Sequence, residues 1–133
     1  MTAPYGLDCF NCFVDLANVN QKLRIVVSEH LGIPMEQAVC KGCRNEEGKC
    51  YAIPAGMECH VYPCAEKRGI KFCYDCSDFH CDHLHPYADR ASEVPHNTKV
   101  FNLCLIKKMG LEPWARNKAR KVKRTYFKEA WKL

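Results

Sequence analysis

This 133-residue chain is short of the features that mark most enzymes and all membrane proteins. No uninterrupted apolar run approaches the ~20 residues a helix needs to cross a bilayer, so no membrane partner is expected. The opening residues, Met1 to Asp8, carry neither a basic stretch nor an apolar core, and so do not read as a secretory signal. There is no glycine-rich nucleotide loop, no nucleophile elbow and no Ser/His/Asp spacing. Asp75, Asp78, Asp82 and Asp89 stand beside cysteines or at turn positions, not as paired catalytic carboxylates. No low-complexity segment occurs, and nothing repeats except a short cysteine unit. These absences turn the expectation away from catalysis.

Cysteine is what the chain has in plenty. There are 11, about 8% of the residues. A chain of this length buries roughly two-thirds of its unfolded surface and is not forced to use covalent staples. In a secreted protein such a count would mean disulfides. The odd number and the absence of a leader point instead to a reduced, cytoplasmic setting. Cys9-Phe-Asn-Cys12, Cys40-Lys-Gly-Cys43 and Cys73-Tyr-Asp-Cys76 are three C-x2-C pairs, with Cys50, Cys59, Cys64 and Cys81 between and after them. A C-x2-C turn sets two sulfurs on one side of a tight loop, close enough to share a tetrahedral ion. Backbone N–H groups in such a turn stabilise the thiolates, and Gly42 permits the left-handed backbone the turn often needs.

Nine cysteines fit the pattern of metal ligands: Cys9, Cys12, Cys40, Cys43, Cys59, Cys64, Cys73, Cys76 and Cys81. Two four-thiolate sites would use eight, so about two zinc ions are expected. The spacings do not say which sulfurs share an ion. Cys50, in a polar loop, and His80 are further candidates. His60, His83 and His85 also lie near cysteines, but thiolates already suffice. Cys104, inside an apolar helix pattern, reads as a small core residue. The compact run from Cys64 to Cys81 also admits an iron–sulfur cluster, although it matches neither common ferredoxin order. A thioredoxin-type dithiol at Cys73 and Cys76 lacks its βαβ context.

Periodicity places the helices. Asn18 or Asn20 caps a helix over residues 19 to 31, with Val19, Leu23, Val26, Val27, His30 and Leu31 inward and Gly32 at its end. Met35 to Val39 add a turn. Residues 40 to 63 read as loop. Pro63 and Gly69 bracket a short helix bearing Cys64. Ile70-Lys71-Phe72 suits a brief strand, and Asp78 a cap for a turn through Cys81, His83 and Leu84. Asn97 or Thr98 starts a helix to Met109 that is apolar on most of its circumference, closed by Gly110. Glu112 and Pro113 then open a last helix to about residue 131, with Leu111, Ala115, Ala119, Val122, Tyr126 and Ala130 inward and Trp114, Phe127 and Trp131 beside them.

The net charge of +5 conceals an asymmetry. Residues 113 to 133 carry eight basic groups against Glu129 alone, a net of +7, while residues 1 to 112 carry −2. The acidic, cysteine-rich body therefore has a basic tail. Lys118, Lys121, Lys123 and Arg124, with Arg120, Tyr126 and Trp131 nearby, would suit phosphates. The plainer reading is a solvated face docked on an acidic body that offers Glu46, Glu47, Asp75, Asp78 and Asp82.

Three stretches together resemble the DUF3795 family, small prokaryotic cysteine-rich proteins of unknown function. They are Gly6-Leu7-Asp8-Cys9-Phe10-Asn11-Cys12, Cys40-Lys41-Gly42-Cys43-Arg44, and the run from Cys64 through Lys67-Arg68-Gly69-Ile70 and Cys73-Tyr74-Asp75-Cys76 to Phe79-His80-Cys81. The resemblance covers most of residues 5 to 90, and Pro95 to Leu103 is similar to a helical extension of some members. It implies zinc at the matching cysteines and no settled activity. Tyr5 stands where the family usually has its first cysteine, and His80 where a proline is common.

The expectation is an α-rich small metal-stabilised domain, with zinc-knuckle loops, about four helices and little or no β. Residues 1–95 form the cysteine-rich metal-binding part. Residues 96–133 form a two-helix extension packed on it, the last helix basic. The role expected is a zinc-binding structural or interaction module, an adaptor or accessory subunit that works with another protein. An iron–sulfur protein in a redox assembly is the first alternative, and a nucleic-acid binder using the basic helix the second.

Overall fold

In the computed structural model, residues 2–49, 59–89 and 91–130 are described. Cys50 and Trp131 fall outside them. Among the described residues the chain is helical, with short 3-10 turns and no strand. The helices are α1 (Phe13–Leu16), α2 (Gln21–Leu31), α3 (Val61–Lys67), α4 (Lys99–Met109), α5 (Leu111–Asn117) and α6 (Ala119–Lys128). That is an α-rich small domain as expected, with two more helices than the periodicity suggested.

Asn20 begins α2 by accepting the Leu23 amide at 3.1 Å, and Gly32 ends it in the left-handed region at φ 64°. The inward face is narrower than the sequence pattern implied. Only Val27 is fully buried, with Leu23 and Leu31 partly so, while Val19 (89% exposed) and Val26 (57%) face out and His30 is exposed. The main packing partner of α2 is α1, which covers a single stripe of the helix.

Ile70 to Phe72 do not pair as a strand. Phe72 is extended, and Cys73 N–H makes an isolated bond to Pro4 O at 2.9 Å. Asp78 caps no helix either. It pairs with Arg68 at 2.7 Å, and the turn Asp82–Leu84 starts from Cys81.

Helix α4 begins and ends where expected, but its buried face is mixed: Lys99, Asn102, Leu103 and Ile106. Phe101 and Cys104 are exposed. Cys104 is therefore not a core residue. Asn102 is buried because it is fully satisfied. Its amide donates to Thr98 Oγ1 and its carbonyl accepts the Trp114 indole N–H, both at 3.3 Å.

The single C-terminal helix is in fact two. Lys118, at φ −123° and ψ −41°, breaks the run between α5 and α6. The break lets Trp114 turn fully inward, while Ala119 begins α6 on the same core. Trp114 is wholly buried and sets its ring edge-on to Phe10 at 5.9 Å. It is a core anchor, not bulk beside a stripe.

The buried apolar residues fall into three small groups. Val14, Ala17, Val27 and Ala38 lie under α1 and α2. Phe72, Cys73, Leu84 and Leu103 join the cysteine-rich part to α4. Ile106, Trp114 and Ala119 join α4, α5 and α6. The N-terminal loop seats on α4 through Gly6, whose φ is +84°. A Cβ there would come within 2.8 Å of Lys99 O and 2.9 Å of Leu103 Cγ. Arg44 ties the same region together, donating to Thr2 O at 3.1 Å and to Lys71 O, with its guanidinium over the Phe72 ring.

Candidate metal centres

The C-x2-C pairs form the turns their spacing implies. Cys9–Asn11 and Cys73–Asp75 are 3-10 turns, each closed by the second cysteine's N–H on the first one's carbonyl, at 2.8 and 3.1 Å. Both cysteines of each pair thus sit on one short arc. In the second knuckle Gly42 takes φ 82°, and its N–H donates to Cys40 Sγ at 3.3 Å. The same contact recurs at Cys76 Sγ, which accepts Asp78 N–H at 3.4 Å. These amides are aimed at sulfur before any ion is considered.

Electrostatics sort the cysteines into two groups. The Cys9 thiol is pushed up to about 12, first by burial and then by the negative charge of Cys43, Cys40 and Cys12. The Cys73 thiol is pushed up to about 11, again by burial first, then by Cys81, Cys64 and Cys76. Cys12, Cys40 and Cys43 therefore lie near Cys9, and Cys64, Cys76 and Cys81 near Cys73. Sequence spacing could not make this assignment. The first group joins residues 28 positions apart, because α2 carries the chain out and back between Cys12 and Cys40. Asn18 marks that closure by donating to Cys40 O at 2.6 Å. As they stand, no three Cys, His, Asp or Glu side chains among the described residues are drawn in to metal-ligating geometry.

Each group has its own surroundings. At the first, the Tyr5 hydroxyl lies 2.9 Å from Cys43 Sγ. A phenol facing a thiolate is the donor, so Tyr5 pulls the Cys43 thiol down, while burial, the larger effect, pushes it up. The Tyr5 hydroxyl is itself raised well above its ordinary range, by burial and then by Cys43. Glu46 sits across the knuckle, accepting Lys41 N–H at 3.0 Å and the Cys40 thiol at 3.6 Å. At the second group, Arg68 donates to Cys76 Sγ at 3.1 Å and also pairs with Asp78. That pair holds the Asp78 carboxyl below its usual value and the Arg68 guanidinium above its own.

Cys59 adjoins the first group, acting on Cys43 more strongly than Cys40 does. It lies within the field of Tyr5 and Cys43, beside the first group, and within that of Lys99. Burial lowers the Lys99 ammonium, while the charges of Cys59 and Cys73 hold it up. This buried lysine thus lies near both Cys59 and Cys73. His80 is exposed, with its ring 5.2 Å from the Phe79 ring.

Sequence patterns did not reveal Tyr5, Arg68 or Lys99 as neighbours of sulfur. Arg68 is the nearest to legible, since it stands one helical turn after Cys64. Tyr5 could be read only as a departure from a family pattern, and nothing in the sequence singled out Lys99.

The basic helix is partly committed to the body. Lys123 Nζ donates to Asn11 O at 2.8 Å, inside the first knuckle, and Arg124 pairs with Glu129 at 3.2 Å. Lys118 and Lys121 are exposed. No helix among the described residues is long and apolar enough to cross a membrane. Among curated proteins and among solved structures, none matches this chain. The cysteine framework from the Tyr5 loop to the Cys81 turn is the part a family model recognises. Over residues 1–86 the match is to DUF3795, described as a protein of unknown function, and the chain belongs to that family.

Proposed function

We propose that the protein is a zinc-binding structural and interaction module, an accessory or adaptor subunit without catalysis of its own. The observation that carries this reading is the set of tight C-x2-C turns with backbone amides aimed at sulfur, Gly42 N–H on Cys40 Sγ and Asp78 N–H on Cys76 Sγ, with Cys12, Cys40 and Cys43 near Cys9 and with Cys64, Cys76 and Cys81 near Cys73. Without a counter-ion, burial and the neighbouring cysteines make the Cys9 thiolate costly to hold. A divalent cation removes that cost by neutralising the group at its centre. Four thiolates are the donor set of closed, structural zinc sites, which leave no open position for substrate. Cys9, Cys12, Cys40 and Cys43 would hold one ion, and Cys64, Cys73, Cys76 and Cys81 the other. Tyr5, Gly42 N–H, Arg68 and Asp78 N–H would then share the sulfur charge, as outer-shell donors do. The three buried groups are small, so two metal cross-links would add substantially to their hold.

The test is metal content, measured by native and elemental mass spectrometry on protein purified without oxygen. We expect about two zinc ions per chain. Cys9→Ser and Cys64→Ser should each lose one, and Cys104→Ser none. Iron with a brown colour would replace this reading with an iron–sulfur one. A folded protein with neither metal would end both.

A further inference from the structure

Helix α6 meets α4 along a groove of about 410 Å³ whose floor is Phe101, Leu105, Val122 and Tyr126. Phe101 is 58% exposed, an expensive position for an aromatic ring with nothing against it. Lys118 and Lys121 stand on the groove wall. Neither ammonium has a carboxylate partner among the described residues, in contrast to Arg124 with Glu129 and Arg116 with Glu112. Asn97 and Thr125, two other polar side chains of the groove, are already engaged. Asn97 donates to Tyr87 O and accepts Tyr87 N–H, and Thr125 donates to Glu129.

An apolar lining beside two lysines without a carboxylate partner among the described residues selects its occupant. We infer that this groove docks an acidic amphipathic segment of a partner protein, apolar side chains against Phe101 and Val122 and carboxylates toward Lys118 and Lys121. An open, apolar-floored cleft between helices is the shape a peptide helix enters with anchors one turn apart. A second copy of this chain is disfavoured, because a two-fold contact would set the same lysines against each other. Nucleic acid is disfavoured because phosphates would have to desolvate over apolar side chains, and because Lys123 and Arg124 are engaged elsewhere.

This inference rests on the interaction role proposed above, and the metal content of the same samples keeps the two separable. The probes are fluorescein-labelled peptides of about a dozen residues. One carries Asp and Glu with Leu and Phe at helical spacing. The second keeps the apolar residues but replaces the acids with lysine. The third keeps the acids but replaces Leu and Phe with serine. Fluorescence anisotropy should show binding of the first alone to the full chain. Phe101→Glu should weaken it at least roughly tenfold. The double variant Lys118→Glu with Lys121→Glu should lose the acidic peptide and gain the lysine one. All three residues are exposed at these positions, and circular dichroism and metal content should match wild type. The inference is overturned if the acidic-apolar peptide does not bind, or if it binds all variants alike. It is also overturned if single-stranded DNA displaces the peptide, or if Phe101→Glu converts a dimer into a monomer.

Discussion

Replacing Gly6 with alanine tests how the cysteine-rich part is seated on α4. Two costs add at this position. The first is conformational, because φ is +84° and an L-residue in the left-handed region costs about 1–2 kcal/mol. The second is steric. The new methyl would meet Lys99 O at 2.8 Å and Leu103 Cγ at 2.9 Å. Neither is the loose end of a flexible chain, since one is backbone and the other a fully buried leucine. Overpacking of this kind costs about 1–3 kcal/mol, so the sum is about 2–5 kcal/mol. Gly32→Ala is the control. Gly32 has φ +64° but nothing within 4 Å of the added methyl. Its cost is the conformational part alone, about 1 kcal/mol after the entropy the unfolded chain loses. In a chain of this size the Gly6 variant should melt roughly 10–20 °C lower and the Gly32 variant only a few degrees lower. The assay is thermal unfolding by circular dichroism, with metal content equal in all samples because bound ions shift the midpoint. If the two variants melt within about 3 °C of each other, the loop does not pack on α4 as described.

Two further outcomes follow from single contacts. Tyr5→Phe removes a donor that stabilises the Cys43 thiolate, so protons compete better for that sulfur. Acid-driven zinc release, followed with a colorimetric chelator, should therefore begin at higher pH than in wild type, and an unchanged or lower midpoint would contradict the contact. Asn102→Ala strands the Trp114 indole N–H in a dry core and should cost about 1–3 kcal/mol in denaturant unfolding, more than alanine at exposed Asn117.

Much of the local structure is legible from residue to residue. Asn20 and Gly32 bound α2, and Gly110 closes α4, because caps act within a turn of the chain, although Thr98 gives α4 no side-chain cap. The C-x2-C arcs were legible for the same reason. The split at Lys118 was not, because no glycine or proline marks it and the gain from it is the burial of Trp114. The polar face of α4 was not legible either. A pattern of apolar letters cannot anticipate that Asn102 finds two partners and Lys99 two thiolates.

The sequence by itself determined which residues could serve sulfur chemistry, where the tight turns lie and that the tail is basic. These depend on neighbours along the chain. The tertiary structure alone decided which cysteines lie near Cys9 and which near Cys73, that Cys59 stands beside Cys43, Tyr5 and Lys99, and that Lys123 is spent on the first knuckle. Such choices belong to residues far apart in sequence, and only the packing of α2 and α4 brings them within one another's field.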